Sequence, residues 1–196
     1  LSGDSVQAVL EDRDGNVWIG TDKGLDRLSG RKLTSFTQKE GLSGEAVFGL
    51  HEDREGSLWI GTVGGGLNRL RDGKLLTYTR REGLPSDSIA SVVADRDGSI
   101  WISSRGGLTR LRNGVLASLT KADGLSANDV GALCPDVDGS LWIATVGGGD
   151  HRYRNGKLIA IGPKDGLPQE ERLLKLVDQD GGLWVAGLSA FWRVKD

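Results

Sequence analysis

The 196-residue chain has a single cysteine, Cys134, no methionine, and charges that nearly cancel, 27 acidic against 25 basic. One thiol excludes an internal disulfide and any multi-cysteine zinc site. A net charge of −2 offers no one-signed field for nucleic acid or an anionic membrane, so neither is expected as a partner. There is no run of about 18 apolar residues, so direct membrane insertion of this segment is not expected. The N-terminus lacks the charged-then-apolar profile of a signal peptide. Starting at Leu1 without an initiator methionine, the chain reads as a piece of a longer protein. No nucleophile elbow, zinc signature, phosphate loop or dinucleotide fingerprint is present, so no catalyst, metal or cofactor is expected.

What is abundant is glycine, 31 residues, spread at regular intervals rather than in a tract, which argues for many turns. Trp18, Trp59, Trp101, Trp142 and Trp184 are spaced by 41, 42, 41 and 42 residues, a period that marks repeat architectures. Aligned on these tryptophans, the chain divides into units 1–41, 42–83, 84–124, 125–166 and 167–196, the last cut short. Each unit opens on Leu and a small residue or Pro, runs through a short apolar strand (SVQAVLED, AVFGLHED, SIASVVAD, DVGALCPD, ERLLKLVD), and reaches an Asp-x-x-Gly turn. In that turn Asp bonds its own backbone and Gly takes positive φ. A second strand carries the Trp, a Gly-bearing loop follows, and a third strand reads LDRL, LNRL, LTRL, DHRY or FWRV. A fourth reads KLTSF, KLLTY, VLASL or KLIAI.

Four short strands per unit without helical periodicity describe an antiparallel propeller blade. The expectation is an all-β β-propeller in one domain, 1–196, of five four-stranded blades, the last lacking its outer strand. An open fragment of a larger, seven-bladed ring is the alternative. A missing outer strand invites self-association or completion by a strand from another chain.

The five copies allow an internal comparison: a residue present in every unit is most simply explained by blade geometry. By that test the five tryptophans are inter-blade packing residues, with sugar stacking as the alternative. Arg27, Arg69, Arg110, Arg152 and Arg193 share one third-strand position and are expected to bond the neighbouring blade, an anion site being the other reading. The turn aspartates Asp12, Asp53, Asp95, Asp136 and Asp178 lack the longer loop and terminal Glu of a calcium-binding EF-hand.

Candidate ligand residues lie elsewhere. Asp4, Glu45, Asp87, Asn128 and Glu170 hold position four of their units, just before the innermost strand, where they would ring a mouth of the central channel and meet a polar or cationic ligand. Turn chemistry is the simpler account of Asp and Asn there. The loop between the second and third strands differs in every unit, as Asp22-Lys23, Val63-Gly64-Gly65, Ser104-Arg105, Val146-Gly147-Gly148 and Leu188-Ser189. It is expected on the same face as the inter-blade connections, which add Lys39-Glu40, Arg80-Arg81-Glu82, Lys121 and Lys164-Asp165. Arg81, Arg105 and Trp192 are candidates for a carbohydrate or carboxylate contact. His51, Cys134-Pro135 and Asp150-His151 depart from the repeat, and the two histidines hold different blade positions, which argues against a shared metal.

At DSVQAVLEDRDGNVWIGTDKGLDRL and EGLPSDSIASVVADRDGSIWISSRGGLTRL the chain resembles the two-component regulator propeller repeat. The resemblance covers essentially the whole chain. It implies a sensor propeller like those of histidine kinases, hybrid two-component systems and diguanylate cyclases, periplasmic or extracellular, recognising an oligosaccharide or another small polar ligand. The alternatives are an interaction scaffold, or a lyase or glycosidase working through a carboxylate pair such as Asp87 and Glu170.

Overall fold

The computed structural model describes residues 1–165, 172–177, 183–187 and 191–194, with side chains given over 1–165 and at Trp184. The described residues form nineteen strands. The first repeat supplies β1 (Val6–Glu11), β2 (Val17–Thr21), β3 (Gly24–Ser29) and β4 (Lys32–Phe36). The second supplies β5 (Val47–Glu52), β6 (Leu58–Thr62), β7 (Gly66–Arg71) and β8 (Lys74–Tyr78). The third supplies β9 (Ile89–Ala94), β10 (Ile100–Ser104), β11 (Gly107–Arg112) and β12 (Val115–Leu119). The fourth supplies β13 (Val130–Pro135), β14 (Leu141–Thr145), β15 (Gly149–Arg154) and β16 (Lys157–Ile161), and the fifth β17 (Arg172–Val177), β18 (Leu183–Gly187) and β19 (Phe191–Val194).

Strands join in sequence order, giving four four-stranded antiparallel sheets and a three-stranded fifth. Each repeat is thus a meander of the kind that forms a propeller blade. The chain divides into two compact units, Leu1–Ala94 and Asp95–Asp196, the division falling inside the third repeat. Among the described residues no helix is long and apolar enough to cross a membrane.

Within Leu1–Ala94 the core forms where the first strand of one repeat meets the second strand of the repeat before it. Trp18, Leu25, Val47, Leu58 and Ile60 make one buried cluster drawn from the first two sheets. Gly20 permits that approach, because a Cβ there would come within 2.7 Å of a Val47 methyl carbon. Burying residues such as Ile60, Leu67 and Val47, all at 0% exposure, contributes about 1.5–3 kcal/mol each. The β1–β2 turn closes as expected, with Gly15, Gly56, Gly98 and Gly139 all near φ +80° and a bond from each glycine N–H back to the turn aspartate carbonyl.

Candidate functional site

The turn aspartate does more than shape its hairpin. In four repeats the indole N–H of the tryptophan six residues on donates to it: Trp18 to Asp12 at 2.7 Å, Trp59 to Asp53 at 2.7 Å, Trp101 to Asp95 at 3.3 Å and Trp142 to Asp136 at 2.9 Å. The same carboxylates cap turn N–H groups, as Asp12 does for Asp14 and Asn16 and Asp53 for Glu55 and Ser57. Burial pushes the Asp12 and Asp53 carboxyls up, but these hydrogen bonds outweigh it and hold both below the usual carboxylate range. Asp178 lies outside the described residues.

The repeated arginine corrects the sequence expectation. It stays on its own sheet, with the guanidinium carbon 5.5, 5.2, 5.3 and 4.9 Å from the ring centres of Trp18, Trp59, Trp101 and Trp142 for Arg27, Arg69, Arg110 and Arg152. The cause is register: Arg and Trp face each other directly across the second and third strands, as Trp18 with Arg27 and Trp59 with Arg69. The bond to the neighbouring sheet comes from Arg13, whose guanidinium donates to the carbonyls of Asp53 and Arg54 at 2.8 Å each. The backbone pairs Arg193 with Trp184 in the same register, and the Trp184 side chain is 40% exposed.

The opposite edge of the sheets carries the candidate ligand residues. In the first, second and fourth repeats the variable loop and the start of the repeat are brought together there. Asp22 N–H donates to Ser5 O at 3.0 Å and Ser5 N–H to Asp22 Oδ1 at 3.2 Å, beside Asp4. Val63 N–H reaches Ala46 O, next to Glu45, and Val146 N–H reaches Asp129 O, next to Asn128. The loop base is pinned by a hydroxyl in each of the first four repeats: Thr21 to Gly24 O, Thr62 to Gly66 O, Ser104 to Gly107 O and Thr145 to Gly149 O, at 2.7–3.0 Å.

Asp4, Glu45 and Asn128 are exposed, as are Lys23, Arg81 and Arg105, while Asp22 and Asp87 are half-buried. Asp87 and Asn128 serve turn chemistry, accepting the N–H of Arg80 and of Lys121 at 2.7 Å each. The inter-blade charges do likewise: Glu40, Glu82 and Asp123 accept from the backbone and hydroxyl of Thr37, Thr79 and Thr120. Those threonine hydrogen bonds lower the Glu40 and Glu82 carboxyls. Glu170 and the Trp192 side chain lie outside what the structure describes.

Sequence reasoning missed a row of buried polar groups beneath this edge. The third-strand residue before Arg is Asp26, Asn68, Thr109 or His151, each at most 1% exposed. Asp26 accepts from Ser2 N–H at 2.7 Å and Ser2 Oγ at 2.8 Å; Asn68 accepts Ser43 N–H at 3.2 Å and donates to Ser43 Oγ at 2.7 Å. His151 Nε2 lies 3.2 Å from Ser126 N, from which it accepts, and 3.1 Å from Ser126 Oγ. In the third repeat the opening residue is Pro85, which has no N–H, and Thr109 instead bonds Ser118 Oγ at 2.9 Å. The signal was present in the sequence, as Ser paired with an acceptor in three units and Pro with Thr in one. Burial pushes the Asp26 carboxyl up, yet the bonds from Ser35 and Ser2 hold it below its ordinary range. His51 is half-buried, and burial lowers its pKa against the opposing pull of Asp53.

An edge of unlike, exposed loop residues on a frame of like, buried ones defines a propeller-blade protein. The repeat from which it is built is the two-component regulator propeller repeat: residues 1–23, 41–64, 83–106 and 124–147 each match the family model described as Two component regulator propeller. No curated protein matches the chain. Among solved structures it is similar to the extracellular domain assigned to the hybrid two component system BT3049 of B. thetaiotaomicron, with a TM-score of 0.82 and 22% identity over 100% of this chain and 29% of that one. It is also similar to the extracellular domain assigned to the one component system BT4673 of the same organism, with a TM-score of 0.84 and 20% identity over 98% and 30%. Virginiamycin B lyase from Staphylococcus aureus gives a TM-score of 0.79 and 18% identity over 97% and 67%. The chain therefore spans less than a third of the two sensor-type domains, and at these identities the likeness is one of fold.

Proposed function

We propose that the chain is part of an extracytoplasmic sensor of two-component type, which reads a carbohydrate or other small polar ligand at the loop edge rather than transforming it. The observation that carries this is the contrast at that edge. Asp22-Lys23 and Arg105 project unlike polar groups from loops whose bases are pinned in the same way by Thr21 and Ser104. Rigid placement of exposed polar side chains lowers the ordering cost of binding. The repeat family and the likeness to extracellular sensor-type domains support the reading.

The test is a glycan array with a thermal-shift panel of oligosaccharides and small amines, repeated on Lys23→Ala and Arg105→Ala. Binding that either substitution weakens about tenfold supports the reading. A blank panel alongside successful partner pull-downs hands the assignment to a second reading, an interaction surface. That reading is favoured by exposed aliphatics on the outer strands, Leu33 at 45%, Leu76 at 53%, Val115 at 67% and Ile159 at 49%. Strand addition at β19, the edge of the three-stranded sheet, would be its mode. Mass measurement in solution reports it directly.

A further inference from the structure

At the edge opposite the variable loops, a cleft of about 250 Å³ opens between the first two sheets, within Leu1–Ala94. Its apolar wall is Trp18, Phe36, Leu58 and Leu70, and Asp14 and Arg27 line it too. What sets it apart is an ion pair that closes in the next three repeats and stands open here. Arg69 pairs with Glu55 at 3.4 Å, Arg110 with Asp97, and Arg152 with Asp138 at 2.8 Å. In each the arginine Nε is first fixed by a serine hydroxyl, Ser57 at 3.0 Å, Ser99 at 2.9 Å or Ser140 at 2.8 Å.

The first repeat has Asn16 in the serine slot, and its amide is turned to the turn aspartate, donating to both oxygens of Asp12 at 3.0 and 2.8 Å. Arg27 Nε is left buried without a hydrogen-bond partner. Neither Arg27 nor Asp14, the counterpart of Glu55, Asp97 and Asp138, takes part in any of the ion pairs that close the other repeats. A cation and an anion thus line one small cavity unneutralised, against an apolar wall. Asp12, Glu52 and Asp72 also line the cleft, against one further cation, Arg71, which is paired with Glu55 at 2.7 Å, so acidic groups prevail there and disfavour a ligand that is only anionic.

We infer that this cleft binds a free α-amino acid with an apolar side chain. The ligand carboxylate takes the Arg27 guanidinium, its ammonium takes Asp14, and its side chain lies against Phe36, Leu58 and Leu70. The cavity is smaller than the ~300–1,000 Å³ usual for drug-sized ligands, which suits a molecule of this size. Arginine and carboxylate are matched in geometry, and a ligand carrying both charges satisfies both protein groups at once. The site lies at the other edge of the sheets from the loops proposed to sense polar ligands, and it stands or falls independently of them.

Titration calorimetry with L-leucine and L-phenylalanine, against their N-acetyl and amide derivatives, tests the inference. Saturable binding is expected, weakened at least about tenfold when either ligand charge is removed. Asn16→Ser restores the serine acceptor, lets the Arg27–Asp14 pair close, and is expected to weaken binding about tenfold with the fold intact by circular dichroism. Asp14→Asn should cost the zwitterion and the amide derivative but not the N-acetyl derivative, which has no ammonium. Arg27→Gln removes the stacked guanidinium as well, so Asn16→Ser is the decisive variant. Absence of saturation by either amino acid up to about 10 mM, equal binding of acetate or a uronic acid, or unchanged binding in Asn16→Ser overturns the assignment.

Discussion

Trp18 and Trp101 occupy one slot of the repeat and have different company. Trp18 bonds Asp12 at 2.7 Å, tilts against Phe36 with ring centres 5.7 Å apart, and lies in the same packed cluster as Leu70, from the following sheet. Trp101 bonds Asp95 at 3.3 Å and meets Tyr153, the counterpart of Leu70, edge-on at 4.9 Å. The arginine over Trp101 is held by Ser99 and Asp97, whereas the one over Trp18 has neither. Two differences, Tyr153 for Leu70 and Ser99 for Asn16, therefore separate a junction with an edge-on aromatic pair and a fully bonded arginine from one with a cleft and an arginine Nε that has no hydrogen-bond partner.

The comparison breaks first at the tryptophans. Trp101→Ala and Trp18→Ala are each expected to cost about 3–5 kcal/mol in urea unfolding, Trp101 by about 1 kcal/mol more because of the edge-on Tyr153. Equal losses would mean that the aromatic pair adds nothing beyond burial. Tyr153→Leu should remove the edge-on contact with Trp101 at a cost of about 1–2 kcal/mol, while Leu70→Tyr, placed beside an existing cleft, should change stability by less than about 1 kcal/mol.

Next in size is the latch common to both junctions. Asp12→Ala or Asp53→Ala leaves a buried indole N–H without its acceptor, and a loss of about 1–2 kcal/mol is expected. Because both carboxyls titrate below their unfolded value of about 3.9, their contribution is full above that pH and is lost as pH falls through the lower folded value. The urea midpoint should therefore hold above about pH 5 and drop below about pH 4, with a shallower drop in Asp12→Asn. The smallest effect is at the serine: Ser99→Ala should cost about 0.5–1 kcal/mol. It should also raise the Asp97 carboxyl, which Ser99, Arg110 and Arg112 now pull down against the upward push of burial, as carboxyl NMR titration would read.

The frame was legible in the sequence because its signals are local and repeated. A period of 41 or 42 residues, an Asp-x-x-Gly turn and alternating short strands each imply geometry without knowledge of neighbours. The site was less legible because its residues act through partners far along the chain. His151 looks like a departure from the pattern, and Asp26 draws no notice, until Ser126 and Ser2, some 25 and 24 residues earlier, are seen to bond them. The arginines were placed on the right strand and given the wrong neighbour, since cross-strand facing depends on register, which spacing alone does not supply. Asp87 and Asn128, by contrast, read as turn formers in the sequence, and each accepts a turn N–H.

The ties differ in what they ask of their partners. Ser2 with Asp26, Ser43 with Asn68 and Ser126 with His151 each join two particular side chains inside one repeat unit. Of the bonds that cross to the next unit, those from Arg13 to the carbonyls of Asp53 and Arg54 and from Ser103 to that of Gly131 end on main chain, which any following unit offers, while Glu52, Asp87 and Asn128 accept with side chains from the main chain of the unit before. A gene segment cut at the Leu-Ser or Leu-Pro boundary would carry its matched pair with it and find main-chain acceptors wherever it landed, needing only an Asp, Asn or Glu at a few positions of the next unit. Duplication and exchange of whole units is thus cheap for this chain, and each copy is free to drift at its loops.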